Sequence, residues 1–80
     1  GLSFQNGPIL VRNSKGMAVR DLQFALVAGA GQQIKVDGDF GAATETAVKN
    51  VQRYFHLRID GIVGPQTRGV LAHVLQVKFP

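Results

Sequence analysis

The sequence predicts an all-α fold, a small three-helix bundle with two repeated Asp-Gly loop-helix units and at most very short strand pairs. Three observations predict it. The stretch Val36-Asp-Gly-Asp-Phe-Gly-Ala-Ala-Thr44 returns 23 residues later as Ile59-Asp-Gly-Ile-Val-Gly-Pro-Gln-Thr67. Each copy runs into apolar residues at helical spacing, Ala47, Val48, Val51 and Phe55 after the first and Val70, Leu71, Val74 and Leu75 after the second. Before both copies lies a segment from Met17 to Ala28 that is apolar on most of its circumference, as a central helix requires.

Residues 1–13 read as an extended N-terminal arm and residues 14–80 as the helical domain. In the arm, Gly7-Pro8 separates Phe4 from Ile9-Leu10-Val11, whose side chains are expected to cover one side of the core. Ser14 suits a helix N-cap, because its hydroxyl can accept from an unpaired first-turn amide. Helix 1 then runs from about Lys15 to Ala28, and Gly29-Ala30-Gly31 stops it. Helix 2, about Ala42 to Phe55, has a narrower apolar stripe and carries Glu45 four residues before Lys49, the favourable order for that pair. Helix 3, about Pro65 to Leu75, opens with proline, whose missing amide hydrogen costs nothing there, and turns Gln66, Gly69 and His73 outward.

The Asp-Gly segments also read as hairpins around a type I′ turn, with flanks too short for more than tiny strand pairs. Asp37 and Asp60 are expected to accept backbone amides inside the turns, Gly38 and Gly61 to supply positive φ, and Gly41 and Gly64 to let the chain enter each helix tightly. Phe40 and Val63 then plug the core beneath the helix starts. A second echo pairs Val19, Leu22, Gln23 and Leu26 with Val48, Val51, Gln52 and Phe55 at a constant offset of 29. An amide has donors and an acceptor, so each glutamine can hold the backbone of the loop that follows it.

With 45% apolar residues, three prolines and no cysteine, the chain is a single globular unit held by packing and capping, without disulfides or a thiolate metal site. No apolar run is long enough to span a bilayer, and no signal-peptide pattern opens the sequence. The net charge of +4 favours polyanionic partners, but the basic residues are scattered, and the connections between helices exceed those of a helix-turn-helix. A basic nucleic-acid-binding helical domain is therefore the weakest functional alternative. No catalytic motif is present. His56 and His73 have no acid at ligand spacing, and an Asp37 calcium loop fails at Val48, where a bidentate glutamate is needed. Asp37 and Asp60 sit in equivalent turn positions, which assigns them to loop structure and not to an acid/base pair.

The motifs Gly16-Met-Ala-Val19-Arg-Asp-Leu22-Gln23, Val36-Asp-Gly-Asp-Phe-Gly41 with Thr44, and Ile59-Asp-Gly-Ile-Val-Gly-Pro-Gln-Thr67 resemble the peptidoglycan-binding domain type 1 family over residues 10–75. The resemblance implies a monomeric three-helix module without cofactor or metal, which binds the glycan strands and stem peptides of murein. It further implies a covalently linked hydrolase domain, as in autolysins and endolysins, working outside the cell, in the wall or periplasm, or as a released phage lysin. The alternative is a packing domain of a larger enzyme without its own ligand. Wall polymer is rich in carboxylates, amides and N-acetyl groups, so Asp39, Thr44, Arg53, Tyr54 and Arg58 are the candidate ligand-binding residues. Two positions depart from the family pattern: Val51 stands where Phe is frequent, with Phe55 or Tyr54 as compensation, and His56 stands where Gly is frequent, at an expected left-handed C-cap of helix 2.

Overall fold

A computed structural model describes Phe4 and residues 6–80; the opening of the arm, residues 1–3 and 5, lies outside the described residues. Helix α1 spans Met17–Phe24 and continues as a π-helical turn over Ala25–Gly29. Helices α2 and α3 span Ala42–Tyr54 and Pro65–Lys78, so α3 outruns its expected end at Leu75 by three residues.

Ser14 does not cap α1. Its Oγ accepts from the Val11 amide at 3.0 Å, and Gly16 takes the N-cap position with φ 113°, a conformation closed to most L side chains. At the other end, the Ala30 amide reaches back five residues to the Ala25 carbonyl at 3.1 Å, which widens the last turn. Gly29 in that turn lets α3 come close, since a Cβ there would sit 3.1 Å from Val74 Cγ2 and 3.3 Å from Leu75 Cδ2. Helix α2 ends in a Schellman motif, with Leu57 N–H on Gln52 O at 2.8 Å and His56 N–H on Arg53 O at 3.2 Å. His56 is the left-handed residue of that motif, φ 58°, where the sequence placed it.

Val19, Leu22, Leu26, Phe40, Val48, Val63 and Leu71 form the centre of the core, with Phe40 and Val63 as the expected plugs. Val51 is buried beside them and Phe55 packs at the edge, whereas Tyr54 points to solvent and does not compensate for the smaller side chain. Helix α1 is less enclosed than its composition suggests, because Met17 and Phe24 are exposed and the Phe24 ring lies on Phe79 with centroids 6.5 Å apart.

The hairpin reading of the loops does not hold. Type I′ needs positive φ at both central residues, yet only Gly38 (80°) and Gly61 (72°) have it, since the non-glycine residues with positive φ are Asn13 and His56. The described bridges instead join each loop to the segment before α1, Leu10 with Val63 and Lys15 with Asp39, both antiparallel. Leu10 and Val63 exchange amide bonds of 3.1 and 2.8 Å, while Asn13 N–H donates to Phe40 O at 2.8 Å and Phe40 N–H to Ser14 O at 2.9 Å. The arm thus runs across the backbone of both plug residues and fastens the two repeats together. Of its apolar side chains, Leu10 is buried and Phe4 packs on the core, but Ile9 and Val11 remain exposed.

Candidate functional site

The recurring polar residues build two matching brackets. Gln23 Oε1 accepts from Asp37 N–H at 2.9 Å and Gly38 N–H at 2.8 Å, while Nε2 lies 3.1 Å from Asp37 Oδ1, 2.9 Å from Asp39 O and 3.0 Å from Thr44 Oγ1. Gln52 repeats the set on the second loop: Asp60 N–H at 3.1 Å and Gly61 N–H at 3.0 Å on Oε1, and Asp60 Oδ1, Ile62 O and Thr67 Oγ1 at 2.9, 3.0 and 3.1 Å from Nε2. Backbone amides can only donate, so the orientation of each side-chain amide follows from its neighbours. Both glutamines are buried, and each spans from a helix to the loop after it, as the offset of 29 implied.

Within each loop the aspartate closes its own turn, Asp37 Oδ1 accepting from Asp39 N–H at 3.0 Å and Asp60 Oδ1 from Ile62 N–H at 2.9 Å. These amides, aided by the glutamine Nε2 groups, hold both carboxyls below the ordinary carboxylate range. A carboxylate held in this way favours its ionised form and is a poor proton donor. The two aspartates serve separate loops and do not form an acid/base pair.

The polar groups shared by the two repeats are therefore spent on the fold, and what faces solvent differs between them. At equivalent positions Asp39 faces Ile62, Asn50 His73, Arg53 Gln76 and Tyr54 Val77. A surface that distinguishes the repeats belongs to these unrepeated residues.

The five candidate residues fall into three places. Asp39 and Thr44 line a cleft of about 640 Å³ under the first loop. Asp39 is exposed and paired with Lys15 Nζ at 2.7 Å, a contact that raises the lysine pKa, whereas Thr44 is only 3% exposed and its Oγ1 serves Gln23. At the far end of α2, about 14 Å from Thr44 by helical rise, Arg53 is exposed, with Nη1 donating to Asn50 Oδ1 at 3.2 Å. Tyr54 beside it is 78% exposed, its ring edge-on to Phe55 with centroids 5.0 Å apart, and it borders an apolar cleft of about 310 Å³ that also includes Val51, Val74 and Lys78. Arg58 lines a small cleft of about 150 Å³ at the second loop. Among the described residues no one groove holds all five, and none brings together three potential metal ligands of the His, Cys, Asp and Glu type.

Sequence reasoning passed over Arg68, counted there among the scattered charges. It is 3% exposed, with Nε on Pro8 O at 2.9 Å, Nη1 on Phe4 O at 2.8 Å and the Phe4 ring 4.7 Å from the guanidinium carbon. Burial lowers its pKa, with Asp21 opposing the shift. One signal was available: the equivalent residue of the first repeat is Glu45, which also grips the arm, accepting from Arg12 Nη1 at 3.2 Å.

A bundle whose duplicated loops are fastened internally, and whose unrepeated side chains are left at the surface, is a scaffold for recognition. The chain belongs to the putative peptidoglycan binding domain family, whose profile matches residues 15–71. It is 45% identical over 60 residues to a zinc D-Ala-D-Ala carboxypeptidase of Streptomyces albus G, covering 72% of this chain and 24% of that protein. It is 36% identical over 63 residues to a spore cortex-lytic enzyme of Bacillus cereus, covering 79% and 24%. The crystal structure of a Burkholderia AP3 phage endolysin superposes with a TM-score of 0.79 at 37% identity, covering 81% of this chain and 25% of that one. The chain thus spans about a quarter of the length of these relatives.

Proposed function

We propose that this chain binds the peptidoglycan of the bacterial wall without catalysing a reaction, and that it holds an attached hydrolase domain on its substrate. The observation that carries this reading is the family match over residues 15–71, in a chain about a quarter as long as the wall-active relatives. Residues 14–80 act as the module and residues 1–13 as its N-terminal arm, outside the cell, in the wall or periplasm, or in a released phage lysin. The benefit is local concentration at an insoluble polymer, so a weak single contact suffices.

The end of α2 is the favoured contact surface. An exposed tyrosine face can lie on a sugar ring or an acetyl methyl group, the apolar cleft beside it gives that methyl a place, and Arg53 and Lys78 offer charge to stem-peptide carboxylates. Arg58, Asp39 and the rim around Thr44 are secondary positions. The test is co-sedimentation of the 80-residue chain with purified sacculi at low and high salt. Tyr54→Ala and Arg53→Ala are each expected to lower the bound fraction severalfold while melting within about 0.5 kcal/mol of the parent in stability, as exposed positions do. Unchanged sedimentation removes both residues from the site.

A second reading, packing on an attached domain with no ligand of its own, draws support from exposed Met17, Phe24, Val77 and Phe79. It predicts no sedimentation with sacculi at any salt concentration.

A further inference from the structure

The two repeats treat one position differently. Glu45 in the first finds a charged partner in Arg12 at 3.2 Å, but among the described residues Arg68 in the second donates to the carbonyls of Pro8 and Phe4 and lies against the Phe4 ring. Among the described residues no carboxylate lies within ion-pair distance of Arg68. Its Nη2 is buried and has no acceptor among the described residues. A guanidinium is charged at every physiological pH, and burying one of its donors unpaired is costly, so the described residues leave room for an acceptor oxygen here.

The same side chain lines a cleft of about 480 Å³. Phe4, Gly7 and Pro8 of the arm form one wall, and Ala18, Phe24 and Leu75 belong to the bundle side. Asp21 also lines it, exposed and without a hydrogen bond or ion pair among the described residues. A cleft with a fork-shaped cation, a separate carboxylate and apolar walls suits a ligand carrying one carboxylate and a nearby N–H. It disfavours a polyanion, which Asp21 repels.

We infer that this cleft takes the C-terminal residue of a short peptide, its free carboxylate on Arg68 and its amide N–H on Asp21. The inference rests on the peptidoglycan reading for the choice of stem peptide as the natural source. Because the cleft is walled by the arm, the arm yields as the carboxylate reaches Nη2, while the helices stay in place. Gly7 permits the close approach, since a Cβ there would sit 2.5 Å from the guanidinium carbon.

The test is a titration of the ¹⁵N-labelled chain with N-acetyl-Ala-Ala, in its D,D and L,L forms, followed by NMR at the Arg68 Nε–H and the amides of Ala18, Asp21 and Phe24. The expected result is a saturable shift of all four signals, millimolar in dissociation constant. Binding by the C-terminal amide of the same dipeptide should be at least tenfold weaker, and inorganic phosphate should not reproduce the shifts. Arg68→Lys, which keeps the charge and loses the fork, is expected to weaken binding at least tenfold. If that variant does not fold, the parent titration still decides. No saturable shift at 50-fold the protein concentration and beyond to tens of millimolar, equal binding of the amide, or equal shifts with phosphate would each overturn the assignment. Sacculus binding that persists in that case leaves the peptidoglycan reading standing and removes this cleft from it.

Discussion

Replacing Gln52 by leucine tests the bracket that organises the second repeat. The side chain has five partners within hydrogen-bond distance, but Nε2 carries two hydrogens, so four bonds are held at once. At a net value of about 1 kcal/mol each, their loss removes about 4 kcal/mol. Asp60 and Ile62 are exposed and recover water, whereas the Gly61 amide and the Thr67 hydroxyl are buried and stay unpaired, which adds about 1 to 3 kcal/mol each. The buried leucine returns about 1.5 to 3 kcal/mol through apolar burial. The net loss is about 3 to 8 kcal/mol, against a total of about 4 to 12 kcal/mol expected for 80 residues. Urea unfolding followed by circular dichroism should show the midpoint falling by about 1.5 M or more, or no folded baseline, with an m-value of about 1 to 2 kcal/mol/M. Hydrogen exchange in a still-folded variant should lose protection at Gly61 and Ile62 and keep it at Gly38. A loss below about 1 kcal/mol would show that water replaces the amide and that the bracket contributes little.

Acidification should act through the turn aspartates. Asp37 and Asp60 have folded-state pKa values below their ordinary 3.8, so below that pH the unfolded chain binds more protons and stability falls toward the folded-state values. The melting temperature should therefore be flat above about pH 5 and drop below about 4, and the double variant Asp37→Asn, Asp60→Asn should flatten that drop. Gly41 and Gly64 are N-caps in extended conformation with open space where a Cβ would stand, so neither entry requires glycine. Serine at both should raise stability by a few tenths of a kcal/mol each, about 2 to 4 °C together by calorimetry. Glycine in place of His56, at φ 58°, should relieve about 0.5 to 1 kcal/mol, read as a higher urea midpoint.

What the sequence revealed was local or periodic. The duplicated turns, the plugs Phe40 and Val63 and the glutamine brackets follow from spacing, because a fixed offset in sequence becomes a fixed offset in space when the same unit is used twice, whereas the left-handed His56 follows from the glycine frequent there in the family pattern. The misplaced features depended on distant partners. Ser14 looked like a cap until the Val11 amide took its hydroxyl, and the Asp-Gly flanks looked self-paired because nothing in their sequence points to Leu10 or Lys15. The π-helical turn answers to the approach of Val74 and Leu75 on Gly29, a contact across 45 residues or more that no window of α1 contains. Of the candidate residues, Tyr54 and Arg53 are exposed and Thr44 was drawn inward by Gln23, while buried Arg68 was marked in the repeat by nothing more than the charge reversal from Glu45.

The glutamine brackets also set a direction of growth. Gln52 follows Thr44 by eight residues, and the residue eight beyond Thr67 is Leu75, a hydrocarbon at the rim of the interior. A third loop appended after α3 would find no amide to grip its aspartate and glycine. The series is thus terminated chemically by one side chain, and lengthening it into a longer solenoid would begin with Leu75→Gln and not with another copy of the loop.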